Sequence, residues 1–278
     1  MFAPDHPIVH PAQRPTVLLL HSSASSARQW EGLVESLQPR FRVRTIEFHG
    51  HGARPGWQRD GPFALADDAA LAAPLLAESG GAHLVGHSYG AAVALKLATL
   101  HPAHVRSVAA YEPVLFRWLI DDDTSPGAAQ GIVALADAIR DRVADGDEAS
   151  AARRFIDFWC GSGAWDSLPI GRRKAIATRM HAVLLHFDAL FGESPGHAAL
   201  ARLRMPMLFM TGARTVTATR RIAELLRHAL PRARHEVLQG MGHMGPITHA
   251  AEVNCRIVQF LGAHALSGPV LEPSGEPA

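Results

Sequence analysis

Short apolar runs alternate with helix-like segments along most of the chain. Six mainly hydrophobic runs predict buried strands at residues 16–21, 41–48, 82–87, 105–112, 206–211 and 234–239. Apolar residues spaced three or four positions apart predict helices near 27–38, 65–78, 90–100, 219–229 and 248–261. This alternation is typical of an α/β protein whose mostly parallel sheet is flanked by helices.

The alternation is interrupted over residues 114–204, which contain helix-like stretches such as GIVALADAIRDRV and no clear strand. An insertion that follows the carboxyl end of a strand lies over the face of the sheet where α/β proteins bind ligands. We therefore expect residues 1–113 and 205–264 to form the core and residues 114–204 to form a helical cap. Residues 265–278 are rich in Pro, Gly and Ser and are expected to be a disordered tail.

The composition favours a globular protein and excludes several classes of partner. Hydrophobic residues make up 47% of the 278 residues and charged residues 19%, which allows a sizeable core. The net charge is +1 without a long basic block, so neither nucleic acid nor an anionic membrane is an expected partner. The N-terminus lacks the apolar region of a signal peptide, and no apolar run reaches the roughly 18 residues of a membrane span. We expect a cytoplasmic protein.

The polar residues that bind metals do not form a recognisable site. The chain has 17 histidines, and His49 and His51 stand close together in HGHG. A zinc site needs about three or four converging ligands, and no second cluster at ligand spacing accompanies this pair. Cys160 and Cys255 are far apart and outside any CxxC pattern, so they predict neither a disulfide framework nor a zinc site. We expect no metal and no cofactor.

A candidate nucleophile lies in LVGHSYGAAVAL, where Gly86-His87-Ser88-Tyr89-Gly90 forms a G-x-S-x-G motif. The motif directly follows a predicted strand and opens a predicted helix, which is the context that it requires. The tight turn needs glycines on both sides and projects the serine hydroxyl above the sheet at the positive end of the helix. A chance match in a Gly- and Ala-rich chain is the alternative. Ser88 is the predicted nucleophile.

With this motif the chain resembles the α/β-hydrolase superfamily, in particular its members with a helical cap, over about residues 14–264. The stretch LLLHSSASSARQW is similar to the family's loop after its third strand, usually His-Gly-x, with Ser22 at the Gly position. The resemblance implies that the backbone N–H groups of Ser23 and Tyr89 form an oxyanion hole. It also implies that the substrate is a small molecule.

The predicted general base is His243, because Gly240-Met241-Gly242-His243 follows the last predicted strand and resembles the family's catalytic-histidine loop. An imidazole accepts the serine proton and returns it to a leaving group near neutral pH. His249 is the alternative, although it lies in the next predicted helix.

The triad acid is not at the position that is commoner in the family. The family's commoner acid follows the strand PMLFMT, and this chain has Thr215 there. A threonine hydroxyl supplies no negative charge, so we expect its replacement to change little. Some family members carry the acid one strand earlier, which points to Glu112 in AAYEPVLF. The alternatives are that Glu112 forms a structural ion pair and that the acid comes from the run Asp121-Asp122-Asp123.

These residues predict a Ser-His-Glu hydrolase that acts on a small or medium apolar ester, thioester or lactone. Two other functions share the same residues: a lyase, cyclase or acyl transferase acting on a natural product, and a ligand-binding protein without turnover. The substrate pocket is expected to be formed by His21, Phe116, Phe155, Trp159 and Met244.

Overall fold

A six-stranded sheet forms the centre of the protein in the computed structural model, which describes residues 14–122, 124–193 and 195–265. The strands are β1 (Thr16–Leu20), β2 (Arg42–Ile46), β3 (Ala82–His87), β4 (Val105–Tyr111), β5 (Met207–Gly212) and β6 (Arg234–Leu238). Their order in the sheet is β2-β1-β3-β4-β5-β6, and every neighbouring pair is parallel. The predicted α/β fold class is confirmed.

Helices connect the strands and cover both faces of the sheet. In chain order they are α1 (Glu31–Leu37), α2 (Leu65–Glu78), α3 (Tyr89–Leu100), α4 (Phe116–Ile120), α5 (Pro126–Ala144), α6 (Glu148–Cys160), α7 (Ile170–Ala177), α8 (Met180–Gly192), α9 (His197–Ala201), α10 (Thr217–Ala229), α11 (Gly245–Thr248) and α12 (Ala250–Ala263). Short 3-10 turns at Ala27–Trp30 and Pro102–His104 precede α1 and β4. The predicted helix near 248–261 is α12, and the short α11 precedes it, separated from it at His249, whose backbone leaves the helical conformation.

The four central strands are mostly apolar and buried because both faces of the sheet are covered there, whereas the edge strands β2 and β6 are largely exposed. In β1, Leu18 and Leu20 belong to the apolar cluster beneath α2, α3 and the helices that follow β4. Val17 and Leu19 point the other way, into the cluster formed with α1 and α12. This alternation follows from the two-residue period of a strand.

The described part of the chain between β4 and β5 contains six helices, α4 to α9, and no strand. Its apolar side chains join the cluster on one face of the sheet, so this insertion packs directly on the core. The division into core and cap remains a prediction. Residues 1–13 of the predicted core and residues 266–278 of the predicted tail lie outside the described residues.

Strand order decides where polar side chains meet. β3 and β4 are adjacent and end together, with His87 opposite Tyr111. The N–H of Ser88 donates to the carbonyl of Tyr111 at 2.9 Å, and the N–H of Glu112 donates to the carbonyl of Met210 at 3.0 Å. The residues that follow β3 and β4 therefore emerge side by side at the carboxyl edge of the sheet. Across the described residues, no helix is both long and apolar enough to cross a membrane.

Candidate active site

Ser88 lies in a strained turn between β3 and α3. Its backbone has φ 55° and ψ −118°, a conformation that residues with a Cβ rarely adopt. A Cβ on Gly86 would come within 2.5 Å of the Cα of Ala91, and one on Gly90 would collide with the carbonyl oxygen of Leu20. The two glycines of the motif are therefore required by the close approach of the backbone, and the turn presents the Ser88 hydroxyl above the sheet.

A continuous line of hydrogen bonds joins Ser88, His243 and Glu112. The Ser88 hydroxyl donates to Nε2 of His243 at 2.9 Å, and Nδ1–H of His243 donates to Oε2 of Glu112 at 2.7 Å. All three residues are buried, with 5%, 2% and 2% of their surfaces exposed. The carboxylate fixes the tautomer in which Nε2 accepts the serine proton. This arrangement has the chemistry of an activated nucleophile.

Three groups donate hydrogen bonds to the carboxylate of Glu112: Nδ1–H of His243, the N–H of Gly212 and the hydroxyl of Thr215. The N–H of Gly212, at the end of β5, donates to Oε1 of Glu112 at 2.8 Å. The Thr215 hydroxyl donates to Oε2 at 2.6 Å and lies 2.7 Å from the hydroxyl of Thr219. The residue at the family's commoner acid position therefore hydrogen-bonds the carboxylate that comes from β4. The sequence did not predict this contact.

The other carboxylates and the alternative histidine are engaged elsewhere. Asp121 pairs with Arg117 on the protein surface at 2.9 Å. Asp122 accepts from Nε of Arg221 at 2.6 Å, and this bond holds the pKa of Asp122 below its usual value. Asp123 lies outside the described residues. His249 is exposed and contacts the hydroxyl of the neighbouring Thr248.

Two backbone N–H groups, those of Ser23 and Tyr89, have no hydrogen-bond acceptor among the described residues. The N–H of Ser22 donates to Oε1 of Gln29 at 3.1 Å, and the N–H of Ala24 donates to Nε2 of His51 at 3.1 Å. Between them, the N–H of Ser23 has no acceptor among the described residues, and neither has the N–H of Tyr89 at the first position of α3. The loop after β1 thus fixes its neighbours and leaves Ser23 available.

An amide–imidazole pair, the partly buried Gln29 and the fully buried His87, connects this loop to the loop that carries His243. The Gln29 side chain accepts from the Ser22 hydroxyl at 2.9 Å and lies 3.0 Å from Nδ1 of His87. Nε2–H of His87 donates to the carbonyl of His243 at 2.8 Å. Burial, followed by the proximity of His243, holds the pKa of His87 well below its usual value. His87 therefore stays neutral, with one nitrogen accepting and the other donating.

Ser22, at the family's glycine position, takes part in this network through its hydroxyl. The sequence did not identify Gln29 or His87 as parts of the site. The only signal available was that His87 occupies a variable position inside the nucleophile motif.

A narrow cavity with about 240 Å³ of empty space opens above Ser88. Nine residues line it: Ser23, Ser88, Val114, Phe116, Phe155, Trp159, His186, Phe187 and Leu190. Among the expected pocket residues, Phe116, Phe155 and Trp159 are at the cavity. The ring of Trp159 stacks on the ring of His243 with centroids 4.0 Å apart.

Two expected pocket residues lie away from this cavity. His21 is fully buried beneath the loop after β1, where its Nε2 is 3.1 Å from Oε2 of Glu47. Its ring packs against the rings of Phe48 and His51. Met244 is partly buried against the apolar cluster and does not line the cavity. The cavity instead contains His186, a residue of α8 that the sequence did not single out.

The histidine-rich region shows no arrangement of metal ligands. Within residues 14–122, 124–193 and 195–265, no group of three or more His, Cys, Asp or Glu side chains is placed to hold a metal ion. His49 donates to a carboxylate oxygen of Asp68 at 2.7 Å, and His51 accepts from the N–H of Ala24. These two histidines of HGHG therefore fix neighbouring loops.

Comparison with known proteins places the same fold in many hydrolases. A family model for the alpha/beta hydrolase fold matches residues 15–250. A pimeloyl-(acyl-carrier protein) methyl ester esterase from Chromobacterium violaceum is 30% identical over 237 residues, which cover 80% of this chain and 88% of that protein.

Among solved structures, the enol-lactonase of Burkholderia xenovorans superposes with a TM-score of 0.71 at 19% identity, covering 90% of this chain and 92% of the other. A thermophilic esterase of Thermogutta terrifontis gives 0.70 at 21% identity, covering 90% of each chain. At these identities the superpositions establish the shared fold alone.

Proposed function

Because the chain belongs to the α/β-hydrolase family, we propose that it is a serine hydrolase that cleaves a small or medium apolar ester, thioester or lactone. The observation that carries this proposal is the unbroken hydrogen-bonded line from Ser88 through His243 to Glu112. A nucleophile, a base and an orienting carboxylate in this order are what acyl transfer requires.

In the proposed reaction Ser88 attacks the carbonyl carbon of the substrate while His243 accepts the serine proton at Nε2. The N–H groups of Ser23 and Tyr89 donate to the oxyanion of the tetrahedral intermediate. His243 then returns the proton to the leaving alcohol, and an acyl ester remains on Ser88. Water, activated by His243, hydrolyses that ester and restores the enzyme. Glu112 stabilises the imidazolium that forms in each step.

The lining of the cavity supports a largely apolar substrate. Its walls are mostly aromatic and aliphatic side chains, so burying an apolar acyl group there is favourable. The Chromobacterium relative is named for cleaving a methyl ester, and methyl esters of short acids are the first substrates to test.

Residues 114–204 act as the cap of this site in our proposal. Of the nine residues at the cavity, seven come from this segment, including Phe116, Phe155, Trp159 and His186. The cap excludes water from the acyl group and covers the face of His243 through Trp159. Arg179 fastens the cap to the loop after β1 by donating to the carbonyl of Ala24 at 2.9 Å.

The test combines a covalent probe with a substrate panel. A fluorophosphonate should label Ser88 in the wild type and leave Ser88→Ala unlabelled, with both proteins showing the same thermal unfolding temperature. Methyl esters, thioesters and lactones of short apolar acids should then show turnover that depends on Ser88. If Ser88 is labelled but no substrate of the panel is turned over, a lyase, cyclase or transferase reaction becomes the better proposal than hydrolysis. The absence of labelling would favour a ligand-binding protein.

A further inference from the structure

A second serine in the cavity, Ser23, is hydrogen-bonded to its own histidine. Oγ of Ser23 lies 2.8 Å from Nδ1 of His186, and both residues line the cavity above Ser88. Ser23 comes from the loop after β1, and His186 comes from α8, so the bond joins the core to the cap. The proposed reaction uses the backbone of Ser23 and makes no use of this side chain.

The surroundings of His186 decide which atom carries the proton. Its Nε2 is 3.6 Å from Oδ2 of Asp68, beyond hydrogen-bond reach, and has no other partner in the described part of the chain. Asp68 accepts from Tyr89 Oη–H at 2.8 Å and from Nδ1–H of His49 at 2.7 Å, so it is a buried carboxylate surrounded by donors. A hydrogen on Nε2 of His186 is attracted to that negative charge, whereas a lone pair there would be repelled. Nδ1 of His186 therefore carries the lone pair.

This tautomer fixes the direction of the bond to Ser23. The Ser23 hydroxyl donates to Nδ1 of His186, which uses the only hydrogen that the hydroxyl has. The lone pairs of Oγ remain, and no donor among the described residues fills them. Ser23 thus presents a hydrogen-bond acceptor to a cavity whose other walls are apolar, apart from Ser88, His186 and Trp159, whose indole N–H has no partner among the described residues.

His186 is held in place and held neutral. Its ring stacks on that of Tyr89, with centroids 3.5 Å apart and planes 4° from parallel, and also on His51 at 4.9 Å. Burial, followed by the proximity of His51 and His21, keeps the pKa of His186 well below its usual value. A weakly basic imidazole does not activate a second nucleophile, and it remains an acceptor across the neutral range.

We propose that Ser23 and His186 form a specificity site that selects esters with a hydroxyl or N–H donor on the carbon next to the reacting carbonyl. This inference rests on the proposed function. If the N–H of Ser23 binds the oxyanion, the hydroxyl of the same residue lies beside the substituents of the carbonyl carbon. A 2-hydroxy or 2-amino group donates to Oγ of Ser23, whereas a plain acyl chain leaves that acceptor unpaired in an apolar cavity.

The experiment measures kcat/KM for three matched substrates: methyl 2-hydroxybutanoate (each enantiomer), methyl 2-methoxybutanoate and methyl butanoate. Wild-type protein is compared with Ser23→Ala, which keeps the backbone N–H, and with Ser25→Ala, a control in the same loop. For each protein, kcat/KM for the 2-hydroxy ester is divided by kcat/KM for the plain ester. Comparing this ratio between proteins cancels the difference in intrinsic reactivity between the two esters. For one enantiomer the ratio should fall about threefold to tenfold in Ser23→Ala, the equivalent of one hydrogen bond, and should not change in Ser25→Ala.

A second variant reverses the direction of the bond. His186→Phe keeps an aromatic ring against Tyr89 but removes the acceptor, which frees the Ser23 hydroxyl to donate into the cavity. The methoxy oxygen of the 2-methoxy ester accepts a hydrogen bond but donates none. In His186→Phe, kcat/KM for this ester should therefore rise relative to kcat/KM for the plain ester, whereas the wild type should show no such preference. Because this is a gain in one substrate relative to another, a general loss of activity from misfolding does not imitate it.

The outcomes separate the two proposals. If no ester is cleaved in a Ser88-dependent way, the proposed function fails. If esters are cleaved and the ratio of the 2-hydroxy to the plain ester is the same in the wild type, Ser23→Ala and His186→Phe, the hydrolase stands and the specificity site is wrong.

Discussion

Two sets of a serine, a histidine and a carboxylate have their serines at the same cavity, and the sets differ in which histidine nitrogen is bonded to the serine. In the first set Ser88 bonds to Nε2 of His243, and a carboxylate is 2.7 Å from the other nitrogen. In the second set, Ser23 bonds to Nδ1 of His186, and the carboxylate of Asp68 is 3.6 Å from Nε2 of His186.

The two sets also differ in how the serine is presented. Ser88 immediately precedes α3 and has a backbone with positive φ, and its hydroxyl bonds to His243. Ser23 lies in a loop. A serine, a histidine and a carboxylate are therefore proposed to form a nucleophile in one place and a fixed hydrogen-bond acceptor in the other, because the bonded histidine nitrogen and the backbone geometry of the serine differ.

The largest effect should separate the two serines. Ser88→Ala should reduce kcat by about 10⁴-fold to 10⁶-fold, because removing the nucleophile of a triad removes covalent catalysis. Ser23→Ala should keep turnover within about tenfold on a plain methyl ester, because the backbone N–H remains and only a side-chain hydrogen bond is lost. Steady-state kinetics on methyl butanoate measures both. A Ser23→Ala protein as inactive as Ser88→Ala would mean that the two serines act as one unit.

The second-largest difference is expected between replacing Glu112 and replacing Asp68. Glu112→Gln keeps the shape of the side chain but loses the charge that orients His243, and kcat should fall by roughly 10²-fold to 10⁴-fold. Asp68→Asn should lower kcat on the plain ester far less, because Asp68 does not contact His243. The double variant Glu112→Gln with Thr215→Asp restores a carboxylate at the end of β5 and should recover part of the activity. Nearly full activity in Glu112→Gln alone would remove Glu112 from the triad.

A smaller effect should come from Thr215, whose hydroxyl holds the Glu112 carboxylate. The structure revises the expectation that its replacement would change little. Thr215→Val keeps the shape and removes the donor, so kcat should fall about tenfold with KM nearly unchanged. Thr215→Ser, which retains the hydroxyl, should keep most of the activity. Equal kcat in Thr215→Val and the wild type would show that Gly212 N–H positions the carboxylate alone.

The smallest effect concerns pH. The pKa of His186 lies well below its usual value because the residue is buried, so Ser23 keeps the same partner from about pH 6 to pH 8. The preference for a 2-hydroxy ester should therefore stay constant over this range. An inversion of the preference above pH 6 would indicate that His186 titrates there.

Stability should change where selectivity does not. Burial lowers the pKa of His51 to about 3 and holds the pKa of His186 well below its usual value. Below about pH 6.5 both histidines are therefore protonated in the unfolded chain and remain neutral in the folded protein. The unfolded state then binds more protons, so the free energy of unfolding decreases as the pH falls. The thermal unfolding temperature should drop between pH 6.5 and pH 5. A constant unfolding temperature would show that other groups compensate.

Local pattern alone identified much of this protein. The four central strands were visible as apolar runs because both faces of the sheet are covered there, whereas the edge strands β2 and β6 carry exposed charged residues and gave a weaker signal. The G-x-S-x-G motif located Ser88 because a strand, a tight turn and a helix constrain neighbouring residues. Glu112 was not visible from pattern; it was selected through the resemblance to family members that carry the acid one strand earlier, and the structure brings it to His243 across 131 positions of sequence.

Tertiary structure decided the contacts that link distant segments. The bond between Ser23 and His186 spans 163 positions and exists only because α8 packs over the loop after β1. Thr215 contacts Glu112 only because β4 and β5 are neighbours in the sheet. Hydrogen bonds depend on the direction and the distance of single atoms, and these are fixed by the packing of whole elements. The sequence determined which chemical groups this protein carries, whereas the packing of cap on core decided which of them meet.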